Sequence, residues 1–289
     1  MINPEVPRNL IEVTDLTVRF PTADGGIATV VDGLTFAVAS GEALGLVGES
    51  GSGKSMTSLA IMGLLPPTAQ VTGSIKLFGP DQRDGVELVG RSDRAMRRIR
   101  GDRIAMIFQD PLSSLNPYYT VGDQVAEAYR AHRGGSSQAA RQAAIAAMEQ
   151  VHLRDPGRTY HHYPHQFSGG MRQRIMIAMA LVCQPELLIA DEPTTALDVT
   201  VQSQVLELIR EVRSTTGTSL LFITHDLAVV SRVTDRVLVL RHGVEQELRT
   251  TRELFSDPQA DYTRMLIDAT PRLHDPELLD VVDEAGEPR

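Results

Sequence analysis

Between residues 11 and 38 apolar and polar residues alternate, as in Ile11-Glu12-Val13-Thr14 and Leu34-Thr35-Phe36-Ala37-Val38. That two-residue period predicts antiparallel strands, with Asp24-Gly25-Gly26 and Asp32-Gly33 as turns. The pattern then changes. Ala43-Leu44-Gly45-Leu46-Val47 is continuously apolar and predicts a buried strand, followed by a glycine-rich turn and a helix over about 54–65 that Pro66-Pro67 stops. Residues 71–90 return to short strands, broken at Gly73, Gly79 and Gly85. After a strand at 104–108 helical patterns take over, one over 120–129 and an alanine-rich one from Ser136-Ser137 to about 151.

From 168 onward the order is helix, strand (187–190), helix (201–213), strand (220–224), helix, strand (236–240). Continuous apolar strands alternating with helices predict a parallel α/β sheet covered on both faces. The helical block at about 92–165 is then an insertion between two halves of that sheet. Residues past 246 read as a polar, acidic tail with a helix at 259–267.

Composition narrows the class. The 289 residues are 42% apolar and 22% charged, which excludes disordered and fibrous chains. The 28 basic residues are outnumbered by 37 acidic ones, a net charge of −9 that disfavours general nucleic-acid binding. Cys183 is the single cysteine, which excludes an intramolecular disulfide and fits a reducing compartment. No basic-then-apolar leader is read at the start, and the longest apolar run, 175–183, is too short to span a bilayer.

Gly48-Glu49-Ser50-Gly51-Ser52-Gly53-Lys54-Ser55 fits the phosphate-loop pattern of glycine, four residues, then Gly-Lys-Ser. Glycines let successive N–H groups point at phosphate oxygens, and the following helix adds its positive end. Lys54 supplies a point charge, and the Ser55 hydroxyl is a Mg²⁺ ligand. Asp191 and Glu192 follow an apolar strand, where one carboxylate is placed for Mg²⁺ and the next for polarising water. His225 and Gln109 also end strands. His225 is a candidate to reach the γ-phosphate or hold the water, or is a plain strand-end residue. Gln109 touches Mg²⁺ or water, or caps a turn. Ser168-Gly169-Gly170 opens a helix as a second anion site, or as a simple N-cap.

Two clusters carry a blander reading. His161, His162 and His165 suggest a metal site or, since three close histidines on a loop rarely supply tetrahedral geometry without further ligands, plain loop residues. The arginines between 91 and 103 are interspersed with Asp93 and Asp102, as on a solvated helical face.

Taken in order, these segments resemble the nucleotide-binding subunit of an ATP-binding cassette transporter. The match runs from the phosphate loop through Gln109, the signature Phe167-Ser168-Gly169-Gly170-Met171, the Walker B strand with Glu192 and the Ala196-Leu197-Asp198 loop to His225. It covers roughly residues 9–265. The resemblance implies a P-loop NTPase (RecA-like) α/β core with an antiparallel β subdomain and an inserted α-helical subdomain. It implies a nucleotide-binding domain over 9–250 and a C-terminal extension over 251–289. It places Phe20 against adenine, with a strand-end core phenylalanine as the alternative.

The resemblance further implies ATP and Mg²⁺ as cofactors, with Ser55, Gln109 and Asp191 toward the metal. Glu192, His225 and Gln109 are then catalytic, and Ser168 to Gly170 with Asp198 complete the site of a second subunit. The stretches Phe108-Gln109-Asp110-Pro111-Leu112-Ser113-Ser114-Leu115-Asn116-Pro117 and Tyr163-Pro164-His165-Gln166-Phe167-Ser168-Gly169-Gly170-Met171-Arg172-Gln173-Arg174 are similar to the oligopeptide, dipeptide and nickel importer ATPases. The methionine after the double glycine resembles the subunit that pairs with a different ATPase reading Ser-Gly-Gly-Gln. Such a pair implies a heterodimer beneath two membrane permeases, at the cytoplasmic face of the membrane, served by an extracytoplasmic substrate-binding protein.

The chain departs from those relatives twice. Ala260-Asp261 stand before Tyr262-Thr263-Arg264 where relatives carry His-Pro, and one cysteine cannot hold the iron–sulfur cluster some relatives have. Rival classes are a cassette ATPase acting on DNA repair or ribosomes, and a non-catalytic regulatory nucleotide-binding module.

Overall fold

The structure, a computed structural model, describes residues 8–79, 84–109, 115–195 and 197–270. In chain order it begins with β1 (Asn9–Pro21), β2 (Ile27–Ala39), β3 (Ala43–Val47), α1 (Lys54–Met62), β4 (Gln70–Leu77) and β5 (Val86–Glu87). There follow α2 (Asp93–Met96), β6 (Ile104–Ile107), α3 (Val121–Arg133), α4 (Ser137–Gln150), α5 (Pro156–Thr159), α6 (Gly169–Leu181), β7 (Leu187–Asp191) and α7 (Val199–Thr216). The last are β8 (Ser219–Thr224), α8 (Leu227–Val233), β9 (Arg236–Arg241), β10 (Val244–Thr250), α9 (Thr251–Ser256) and α10 (Asp261–Asp268). Two compact units result, one from residues 1–92 with 220–289, the other from 93–219.

In the first unit, the alternating segments form an antiparallel sheet of order β2-β1-β4-β5. Asp32-Gly33 is not a turn. β2 runs through it, and the pairing shifts from Leu16↔Leu34 to Val18↔Val31, so Asp32 and Gly33 together oppose Thr17. The Gly33 N–H donates to Thr17 Oγ1 at 3.1 Å. A turn signal inside two long paired strands is absorbed as a bulge, because the ladder on either side outweighs local preference. The parallel strands of this unit centre on β3, which pairs with β8 on one side and β9 on the other. β3 and β8 are buried throughout, as their continuous apolar runs require.

Two predicted ends move. α1 stops at Met62 on the left-handed Gly63, before Pro66-Pro67, because glycine supplies the C-cap first. α3 runs on to Arg133 and is closed by Gly134. The larger correction is past residue 246. That segment is no plain tail. β10 pairs antiparallel with β9, Thr250 and Glu253 form a capping box for α9, and α10 follows. Leu254 and Tyr262 lie in one buried cluster with Val47, Leu227, Val230, Val237 and Val239. Residues 271–289 lie outside the described residues.

In the second unit β6 and β7 pair in parallel, from Ile104↔Leu187 to Ile107↔Ala190, and α3, α4 and α6 pack on one another. Arg97 and Arg100 pair with Asp93, and Arg103 with Glu186, so those arginines serve this unit's own acids. Tyr160 locks α3: its backbone oxygen accepts from Gly122 N–H at 3.0 Å, and its hydroxyl donates to Asp123 at 2.9 Å. Burial, and then the Asp123 carboxylate, push the phenol up to about 12.

That shift sets a pH dependence. Below the unfolded tyrosine value near 10 both states hold the proton, and between about 10 and 12 the unfolded chain loses it first. The wild-type chain is therefore expected to lose stability across pH 10–12. Tyr160→Phe should lose less over that window, as checked by melting temperature against pH.

Candidate active site

The phosphate loop leaves β3 at Val47 and enters α1 at Lys54. Its path admits no side chain at the first glycine. Gly48 has φ +152°, and a Cβ there would lie 2.1 Å from the Leu240 carbonyl oxygen on β9. Gly53, at φ +104°, is the N-cap of α1, and a Cβ there would meet Val30 O on β2 at 2.7 Å. The β9–β10 turn completes the clamp: Gly243 N–H donates to Ser52 O at 2.9 Å, and Gly243 O accepts from Asp32 N–H at 2.9 Å.

No side chain caps α1 and no acidic residue stands in its first turn, so its positive end is not offset locally. Lys54 is buried. Its ammonium donates to Gly48 O at 2.7 Å, Glu49 O at 2.9 Å and Ser52 Oγ at 3.5 Å. A buried cation held by the loop's own carbonyls, beside an uncapped helix start, fits a polyphosphate.

In the second unit β7 ends in the buried Asp191, and Glu192 follows with φ +47°. A left-handed glutamate costs about 1–3 kcal/mol, which neighbouring structure must hold. Here Gln109 Nε2 donates to Glu192 Oε2 at 3.0 Å, and Thr195 Oγ1 donates to the same oxygen at 2.9 Å. Gln109, 83 residues away in sequence, thus contacts the carboxylate itself. Thr195 escaped the sequence reading, although a hydroxyl three residues after a strand-end glutamate is placed to fold back onto it.

Ser168 caps α6, its Oγ accepting from Met171 N–H at 3.4 Å, and is exposed with Gly169. Gly170 is buried, and a Cβ there would lie 2.4 Å from Val201, so α6 starts directly against α7. Asp198 caps α7 through Val201 N–H at 3.0 Å. Ala196 and residues 110–114 lie outside the described residues. His225 is exposed at the end of β8, and Phe20 is half-buried near the end of β1, opposite Ala28.

The three close histidines diverge. His161 bonds Arg141, His162 tilts on Phe167 and His165 stacks on Tyr163. Tyr262 and Arg241 gather at the phosphate loop and were not read as site residues. The Tyr262 hydroxyl accepts from Glu49 N–H at 3.4 Å, and Arg241 lies 4.6 Å over its ring. Their signal, apolar side chains at 262, 266 and 267 on one helical face, was present but pointed only to a core.

The family model described as "ABC transporter" matches residues 31–195. The chain is 50% identical over 265 residues to the dipeptide transport ATP-binding protein DppD of Bacillus subtilis, covering 91% of this chain and 77% of that protein. It is 45% identical over 270 residues to the oligopeptide transport ATP-binding protein OppD of Salmonella typhimurium, covering 93% and 78%. Among solved structures it superposes on a dimeric post-hydrolysis ATP-binding cassette bound to ADP and Pi. That match has a TM-score of 0.72 and 27% identity, over 84% of this chain and 99% of the other. The expected cassette ATPase fold is thereby confirmed.

Thr195→Val keeps the side-chain shape and removes a hydroxyl donor from Glu192. ATP turnover is expected to fall about tenfold with ATP affinity unchanged, since a misaimed carboxylate costs rate rather than ground-state binding. Steady-state phosphate release, set against a binding isotherm, checks this.

Proposed function

Because the chain belongs to the ABC transporter family, we propose that it is the ATP-hydrolysing subunit of an importer for peptides or related small solutes. The observation that carries the catalytic part is the Glu192 carboxylate held by both Gln109 and Thr195. Two donors on one carboxylate oxygen fix its aim, as a base for water needs. The cargo class rests on the named dipeptide and oligopeptide relatives.

The remaining roles follow the motifs. Residues 48–55 bind the phosphates, with the Lys54 ammonium moving from loop carbonyls to phosphate oxygens. Ser55, Asp191 and Gln109 hold Mg²⁺, which supplies charge neutralisation on the β- and γ-phosphates when bound. A hydroxyl, a carboxylate and an amide oxygen form the hard donor set that this ion takes. Glu192 accepts the proton of the attacking water, and His225 orients it. Phe20 stacks on adenine. Ser168, Gly169, Gly170 and Asp198 face the nucleotide of a second ATPase subunit, and the exposure of Ser168, Gly169 and Asp198 at helix starts suits that use.

We assign the nucleotide-binding domain to residues 9–250, with its helical subdomain at about 92–165, and the extension to 251–289. Partners are a second, Ser-Gly-Gly-Gln ATPase in a heterodimer, two permeases and an extracytoplasmic substrate-binding protein. No described helix is long and apolar enough to cross a membrane, so translocation is assigned to the permeases, with this chain peripheral at the cytoplasmic face.

Glu192→Gln is expected to lower turnover at least a hundredfold while ATP binding persists; unchanged turnover in the assembled complex removes the base assignment. A tagged pull-down from gently solubilised membranes tests transport. It should return two integral membrane proteins and a second ATPase. A catch of ribosomal or DNA-repair components overturns the importer and leaves only the ATPase.

A further inference from the structure

α10 does more than cover the sheet. Its Tyr262 is buried in the cluster that includes Val47, the last residue of β3 before the phosphate loop, with Leu266 and Ile267 packed around it. Arg241, at the end of β9, lies 4.6 Å over the Tyr262 ring and holds its plane. The phenol oxygen then accepts from Glu49 N–H at 3.4 Å.

That N–H belongs to the peptide unit joining Gly48 to Glu49. The carbonyl of the same unit, Gly48 O, accepts from the Lys54 ammonium at 2.7 Å. One peptide plane therefore carries the α10 phenol on its donor side and the phosphate-binding cation on its acceptor side. The two bonds polarise the peptide in the same sense, so each strengthens the other. Rotation of that plane would break both at once. The Gly48 side of the unit is pinned by the close approach to Leu240 O, which leaves the Glu49 N–H as the point where a side chain can restrain the turn. Burial, with the nearby Glu49 charge adding to it, pushes the phenol above its ordinary value, so the hydroxyl stays protonated.

We propose that Tyr262 is a positioning residue for the phosphate loop: its hydroxyl fixes the Gly48–Glu49 peptide, and α10 thereby sets nucleotide affinity at Lys54. The proposal rests on the reading of residues 48–55 as the ATP site. It gives the segment after residue 250 a function inside this chain, in addition to its share of the core.

The test uses the full chain and MgATP. Tyr262→Phe keeps the ring, its packing and the Arg241 contact, and deletes only the hydroxyl. The dissociation constant for ATP, by calorimetric titration, is expected to rise about three- to tenfold, the worth of one neutral hydrogen bond. The melting temperature without nucleotide should fall only slightly, by the worth of that one bond. In the assembled complex KM for ATP should rise by the same factor with kcat unchanged. Wild-type affinity in Tyr262→Phe overturns the proposal, and so does a fall in kcat at unchanged KM for ATP, which places the effect outside nucleotide binding. Lys54→Ala separates the two layers: if it binds ATP as tightly as wild type, the nucleotide reading fails and this proposal falls with it. If Lys54→Ala loses affinity while Tyr262→Phe does not, only the Tyr262 assignment falls.

Discussion

The approach of the Gly48 backbone to the Leu240 carbonyl is the constraint from which the nucleotide-binding half of the molecule follows. At that separation a Cβ would overlap the oxygen, so β3 can hand the chain to α1 along this path only through glycine. Gly53 against Val30 and the Gly243 hydrogen bonds then fasten the loop to β2 on one side and the β9–β10 turn on the other. These contacts fix the path of the loop, and the Lys54 ammonium is held by its carbonyls. Preorganisation of this kind spares the binding step the entropy of ordering the loop.

The carboxylate half shows a different economy. Glu192 occupies a backbone region that a glutamate enters only under constraint, and the constraint is visible in two donors on one carboxylate oxygen. Neither donor is an arginine or lysine.

Parts of this arrangement were legible from residue order. The Gly48–Ser55 pattern, the carboxylates ending an apolar strand and the helix start at Ser168 are local signals, because backbone geometry over four to eight residues decides them. The Asp32-Gly33 turn misled for the complementary reason. Its local preference was real, but the pairing of two thirteen-residue strands, one of which runs through it, outvoted it and turned it into a bulge. The segment past residue 246 misled through its polarity: its few apolar residues, Leu254, Tyr262, Leu266 and Ile267, are enough to bury it once β10 has paired with β9.

The sequence by itself determined the chemistry, since a glycine-rich turn before a lysine, and acids at strand ends, leave few other uses for those residue types. Element types followed from periodicity for the same reason. Only the tertiary structure decided which distant groups meet. Gln109 reaches Glu192 across 83 residues, and Tyr262 reaches Glu49 across 213. Spacing along the chain carries no trace of such pairings, because they depend on strand register and helix docking, which many different sequences satisfy in many different ways.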